Sequence, residues 1–380
     1  MVYLNNAATS YPKPQRVLDA HAATLKNPPS GQFRSSGFFQ KSDPVMSCKR
    51  ALSELLGIPD ADRIFFSSGA TDSSNKVIYG LNLSQMQILT TVTEHNSILR
   101  PLYNHQGIKP DQIHLIGCNP LGRINLVELE SMAKKSNAGI VIVNHCSNVT
   151  GMVQDLEQIG ILCRQNHLLF MVDASQSAGC IPIDVEKLGI DILILTGHKS
   201  LFGIQGTGAH YVKKDLFFRP LLFGGTGKDS SKLHYEKDEY EYEVGTQNIP
   251  GIVALQEGIL TIQELGLNHI VEKERALMKQ LYEGLMEFEE IRLFGQYEEN
   301  RGPLLSFQMR GLSPSDVAYI LETGDQILVR TGLHCAPLMH DGIGSGKEGT
   351  VRVSISVFTK EIEIDLFLQA IKSIVLSLRG

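Results

Sequence analysis

Six short segments constrain this chain more than any other feature. They are Arg63–Ser67, Gln87–Val92, Gly139–Asn144, Leu168–Asp173, Asp191–Thr196 and Gly208–Val212, recurring between about residues 45 and 255 with helical stretches between them. Several read as unbroken apolar runs rather than alternating ones. A strand apolar on both sides must be buried on both faces, which predicts a largely parallel sheet between helix layers. Pro44–Leu56 illustrates the helical stretches: apolar residues at 45, 48, 52, 55 and 56 share one face, and Gly57 suits the C-cap.

The character changes after residue 255. A long helical pattern runs from Ile252 to Glu290, followed by the apolar run Leu304–Met309 and a helix after Ser313 and Pro314. Thr350–Val357 alternates, with Val351, Val353, Ile355 and Val357 on one face and Arg352, Ser354 and Ser356 on the other. Thr359 can N-cap a last amphipathic helix, with Glu361 and Glu363 complementing its dipole. This mixture suggests a smaller α+β unit.

The chain has 380 residues and a net charge of -6, which excludes the basic balance of a nucleic-acid partner. No apolar run approaches the roughly 20 residues that span a bilayer. The first residues lack a basic and apolar leader, so secretion is not expected. Six scattered cysteines form neither a zinc spacing nor a disulfide framework, which suits a reducing cytoplasm.

Chemistry collects where the apolar segments end. Lys199 lies in Thr196-Gly197-His198-Lys199-Ser200, directly past one of them. As a surface cation it is poorly explained. As the amine that holds pyridoxal phosphate as a Schiff base it is well explained. Ser67-Ser68-Gly69-Ala70-Thr71-Asp72 follows another segment and opens a helix, so its backbone N–H groups and the Thr71 hydroxyl offer a phosphate site. An ordinary strand-to-helix turn with Asp72 near the N-cap explains the same residues. Asp173 ends a third segment, where it could face a ligand crevice and pair with a pyridine nitrogen, or cap the next helix. His95 follows a fourth, and it could stack on a ring or be a satisfied loop residue.

Arg352 offers a bidentate fork for a carboxylate, against the alternative of a solvated strand arginine. Cys335 lies on a loop with Gly332 and Pro337. His334 beside it and Arg330 nearby would lower the thiol's pKa, unless it is an inert loop thiol. Gly342–Glu348 only hints at a phosphate loop: Asp341 stands for the first Gly, Glu348 for the Ser/Thr, and no strand precedes it. It reads as a flexible loop beside Cys335, and residues 338–349 as a candidate lid.

Taken in order, Tyr3–Ala8, Ser68–Thr71, Glu94–Asn96, Asn144–Gly151, Val172–Gln176, Thr196–Lys199, Tyr242–Asn248, Arg330–Ala336 and Arg352 resemble the class V aminotransferase group. Within it they are most similar to the cysteine desulfurases and selenocysteine lyases of the SUF-type branch. The resemblance implies a type I pyridoxal-phosphate transferase fold: a large domain (15–255) with a mostly parallel seven-stranded sheet, and a small α+β domain (1–14 and 256–380) carrying the cysteine loop. It implies that Ala70, Thr71, Thr196 and His198 hold the phosphate, that Asp173, Gln176, His95 and Asn148 contact the rest of the cofactor, and that Lys199, Cys335 and His95 are catalytic. Thr246 would reach the phosphate of a second subunit in a homodimer. Asn148 and Arg352, with Arg330 near them, would bind the substrate carboxylate, and Cys335 would accept sulfur from L-cysteine with release of alanine. A sulfur-acceptor protein and a cytoplasmic setting follow, with no metal. Three positions depart from the pattern: Leu333 replaces a histidine, Ala70 replaces a threonine, and the stretch 28–38 lacks a histidine. Selenocysteine lyase, C–S lyase, class V aminotransferase or an inactive sulfur-relay scaffold remain alternatives.

Overall fold

The computed structural model describes residues 1–27, 43–136, 139–226 and 231–379, so the stretch 28–38 lies outside the described residues. In chain order the strands are β1 (Val2–Tyr3), β2 (Ile64–Ser67), β3 (Gln87–Thr91), β4 (Ile113–Ile116), β5 (Gly139–Asn144), β6 (Leu169–Asp173), β7 (Ile192–Thr196), β8 (Gly208–Val212), β9 (Ile291–Phe294), β10 (Leu304–Met309), β11 (Ile327–Leu328), β12 (Arg330–Gly332) and β13 (Thr350–Ser354).

Seven strands form the main sheet in the order β2-β8-β7-β6-β5-β3-β4. All are parallel except β8, which runs against both neighbours. The six expected strands are present, and the short edge strand β4 completes the seven. Every residue of β5 and β7 is buried, as continuous apolar runs require. Each fully buried aliphatic side chain there contributes about 2 kcal/mol. Helices pack on both faces, with Leu52, Ile159 and Ile259 in the core on one side and Val77, Ile78 and Ile98 on the other.

A second sheet, β12-β13-β10-β9, has its own core with helix Glu361–Arg379. Val2 and Leu4 join that core, and β1 pairs with β11 in parallel. Three local expectations need correction. The Ile252–Glu290 pattern is two helices, Ile249–Leu265 and Leu267–Met286, because Gly266 turns the chain with φ +81°. β13 stops at Ser354, and the Thr359 hydroxyl accepts from the Ser356 N–H, so Thr359 closes a turn rather than capping the last helix. The stretch after Cys335 is not a loose lid. Pro337–Gly342 is helical, Met339 and Ile343 are buried, and the Gln308 amide donates to the carbonyls of Ser345 and Gly349.

Candidate active site

The candidate residues gather because parallel strands end on the same edge of the sheet. Ser67, Gly208 and Thr196 are register partners across β2, β8 and β7, and Asn144 and Asp173 are partners across β5 and β6. A side chain at Gly208 would put its Cβ 2.6 Å from the Gly69 Cα, so only glycine lets the turn after β2 lie so close. A cavity of about 290 Å³ opens at this edge. Ala70, Thr71, His95, Asn148, Asp173, Gln176, Thr196, His198 and Lys199 all line it.

One end of the cavity suits a phosphate. Helix Ala70–Gly80 starts there with Gly69 at its N-cap, and the N–H groups of Ala70 and Thr71 have no partner among the described residues. The Thr71 and Thr196 hydroxyls are likewise uncommitted. Asp72 is not the cap. It sits in the first turn, accepts from the Ser68 N–H and pairs with Lys76.

The other end suits a protonated aromatic ring and an imine. Asp173 Oδ1 accepts from both the N–H and the hydroxyl of Ser175, while Oδ2 is left without a partner among the described residues. Lys199 Nζ makes no hydrogen bond or ion pair there either. Burial lowers its amine to about 8, with Asp173 acting the other way and Arg352 and Arg330 adding to the fall. His95 Nδ1 accepts from the Ser97 N–H at 3.0 Å, which places the ring proton on Nε2. Burial and the Lys199 charge bring His95 down to about 4, so the ring is neutral at pH 7. Free N–H groups, free hydroxyls, an uncommitted carboxylate oxygen and an unpaired amine fit pyridoxal phosphate.

Arg352 is 1% exposed, and no carboxylate of the chain pairs with it among the described residues. Nη1 donates to the Asn148 carbonyl at 2.9 Å, Nη2 reaches Asn5 Oδ1 at 3.4 Å, and Nε has no partner. Burial and neighbouring Arg330 lower its pKa to about 9. Such a guanidinium awaits an anion. Cys335 is exposed, with Arg330 Nη2 3.8 Å from its sulfur. His334 does not add positive charge there. Its ring is buried with Nε2 3.0 Å from the Thr350 hydroxyl, and burial takes its pKa down to about 2. Arg330 supplies the cationic neighbour at contact distance, and the buried Arg352 charge also faces the thiol.

Thr246 is exposed and does not line this cavity, and Gln176 Nε2 is already committed to the Ala7 carbonyl at 3.0 Å. Sequence reasoning missed Ser175, Ser97, Asn5 and Lys13. Lys13 Nζ donates to the His198 carbonyl at 2.9 Å, and that oxygen also receives the Ser10 N–H and the Thr9 and Ser10 hydroxyls. The N-terminal arm thus clamps the residue before Lys199. Only the proximity of Lys13 to the Tyr3–Ala8 motif could have hinted at it.

Fold and site together define a pyridoxal-phosphate enzyme, and the chain belongs to the class-V aminotransferase family, whose model matches residues 2–367. Enzymes of this family use pyridoxal 5′-phosphate. More particularly, a protein of Pyrococcus abyssi named "Probable cysteine desulfurase" is 33% identical, the match covering 100% of this chain and 96% of the relative. The apo structure of a cysteine desulfurase from Thermococcus onnurineus superposes with a TM-score of 0.86 at 30% identity, covering 99% of this chain and 95% of that one. A cysteine desulfurase structure from Escherichia coli gives 0.84 at 25% identity, covering 99% and 94%.

Proposed function

We infer that the protein is a pyridoxal-phosphate-dependent cysteine desulfurase, converting L-cysteine to L-alanine and leaving the sulfur on Cys335 as a persulfide. One observation carries the reading: an exposed thiol lies beside Arg330, whose register partner Arg352 is a buried, unpaired guanidinium near the lysine cavity.

Bound pyridoxal phosphate supplies an electron sink for a carbanion at the substrate α-carbon. The chain's residues do the rest. The N–H groups of Ala70 and Thr71, with the Thr71 and Thr196 hydroxyls and His198, would hold the phosphate. Asp173 Oδ2 would keep a pyridine nitrogen protonated, and neutral His95 would cover the ring. The N–H of the Gln176 amide that Ala7 does not use would serve the ring's oxygen. Arg352 grips the α-carboxylate, with Arg330 adding to the positive field. Lys199 would hold the cofactor covalently, and its amine, when free, would take the α-proton; a pKa near 8 leaves a useful fraction unprotonated at neutral pH. The Cys335 thiolate attacks the substrate sulfur. An S–S bond forms, the C–S bond breaks and its electron pair stays with the carbon fragment; that fragment takes up a proton at its β-carbon, regains the α-proton from Lys199 and leaves as alanine.

The same reading takes residues 15–255 as the cofactor domain and residues 1–14 with 256–380 as the smaller one, supported by the β1–β11 pairing. It makes the enzyme a homodimer in which exposed Thr246 serves the second copy's phosphate, with a sulfur-acceptor protein downstream and a cytoplasmic setting. Among the described residues no helix is long and apolar enough to cross a membrane. The experiment is an absorbance spectrum of the pure protein followed by borohydride reduction. The reading expects a visible band that reduction removes, with the cofactor's mass retained on the Lys199 peptide. A colourless protein after added cofactor would refute it.

A further inference from the structure

Glu94 is fully buried just past β3, one residue before His95 and outside the cavity lining. No cation pairs with it among the described residues, and its Oε2 has no hydrogen-bond partner there. Three oxygen–oxygen contacts run in series from its other oxygen. Glu94 Oε1 meets the Thr91 hydroxyl at 2.8 Å, that hydroxyl meets the Thr93 hydroxyl at 2.7 Å, and the Thr93 hydroxyl meets Asn144 Oδ1 at 2.8 Å. All four residues are buried.

Oxygens this close each need a proton between them. The two threonine hydroxyls carry two protons for three contacts. Asn144 cannot supply the third, because its Nδ2 donates to the Thr93 carbonyl at 2.8 Å, which leaves Oδ1 facing the hydroxyl. The third proton therefore belongs to Glu94. The chain then runs one way: the Glu94 carboxyl donates to Thr91, Thr91 to Thr93, and Thr93 to Asn144. Burial agrees, pushing the carboxyl up to about 8 against its contacts to Thr91 and Asn144, with Asp173 adding to the rise. The chain joins two strand ends. The Asn144 N–H also donates to Glu94 Oε1 at 2.9 Å, and Asn144 is the register partner of Asp173.

We propose that Glu94 is a positioning residue that works as a neutral acid: its proton heads a chain of hydrogen bonds that braces the His95 turn against the strand edge carrying Asp173. A neutral Glu94 also leaves Asp173 as the anion that would face a pyridine nitrogen. Its effect on turnover rests on the desulfurase reading, whereas its protonation state does not.

The test compares Glu94→Gln and Glu94→Ala with wild-type holoenzyme near neutral pH. The infrared difference between wild type and either variant should contain the C=O stretch of a carboxylic acid, lost with Glu94. Glutamine keeps an N–H donor at the head of the chain, so Glu94→Gln should retain the kcat for alanine formation from L-cysteine within about threefold. Glu94→Ala leaves the chain without a head and should lose about tenfold or more in kcat, with KM within about threefold. A carboxylate signal in place of the acid stretch, or a Glu94→Gln variant no more active than Glu94→Ala, would overturn the proposal. Should Glu94→Ala fail to retain the cofactor band, Thr93→Val takes its place: it keeps the acid and breaks the chain, and the same loss in kcat is expected. A wild-type enzyme that makes no alanine would count against the desulfurase reading alone, because the infrared band judges Glu94 independently.

Discussion

Arg330 and Arg352 are register partners on β12 and β13, and neither forms an ion pair among the described residues. Two facing guanidiniums repel each other, and the inner one is fully buried. A fold retains such a pair at a cost to its own stability, which a bound carboxylate would offset.

Arg352→Met is accordingly expected to separate function from stability. Losing the carboxylate fork should lower kcat/KM for L-cysteine by about 100-fold, corresponding to about 3 kcal/mol for truncating a buried charged contact. Removing an unpaired buried charge should leave urea-unfolding stability unchanged or higher. Steady-state kinetics and an unfolding curve on one preparation check both halves.

Lys13 should matter out of proportion to its distance in sequence from Lys199. Lys13→Met removes a charge-assisted bond to the His198 carbonyl, worth about 1.5–3 kcal/mol. The expected outcome is cofactor binding weakened roughly tenfold, read by titrating the apoprotein with pyridoxal phosphate. Wild-type affinity would show that the clamp on His198 does not hold the Lys199 loop.

Glu274 sets a pH dependence remote from the site. It is 5% exposed, and burial pushes its carboxyl up to about 8 from an ordinary value of 4.5. Between those values the folded chain keeps a proton that the unfolded chain releases. Its stabilising contribution is therefore full below about pH 4.5 and is lost as pH rises towards about 8. Glu274→Gln should flatten that loss, which is on the order of a few kcal/mol. Unfolding free energies at pH 5 and pH 8 decide it.

Lys199 works in the opposite sense in the cofactor-free protein. Its amine falls from 10.5 to about 8, so the unfolded chain binds more protons and stability rises with pH across that window. Lys199→Met should remove the rise, measured by urea unfolding of the apoprotein at pH 7.5 and pH 10.

Much of the site was legible because strand ends carry it. Asp173, Thr196 and His95 each follow an apolar run, and parallel strands bring such ends to one crevice. The Arg352 face was equally readable, since period-two alternation puts Val351 and Val353 in the core opposite it. Tertiary contacts were not legible. Whether His334 turns its ring inward depends on the Thr350 hydroxyl beneath it, sixteen residues away. Residues 338–349 look loose in sequence because the Gln308 amide that ties them down belongs to β10. Gly266 was passed over inside a helical pattern, since only its positive φ marks the break between two helices. Lys13 was silent because the four donors converging on His198 come from an arm nearly two hundred residues upstream.

The role of Cys335 as sulfur acceptor is read most directly from the mass of its peptide after holoenzyme is incubated with L-cysteine without reductant, set against the alanine released. The Cys335 peptide should gain the mass of one sulfur, with matching alanine in the first turnover. Alanine released in a full burst while Cys335 gains no sulfur would contradict it.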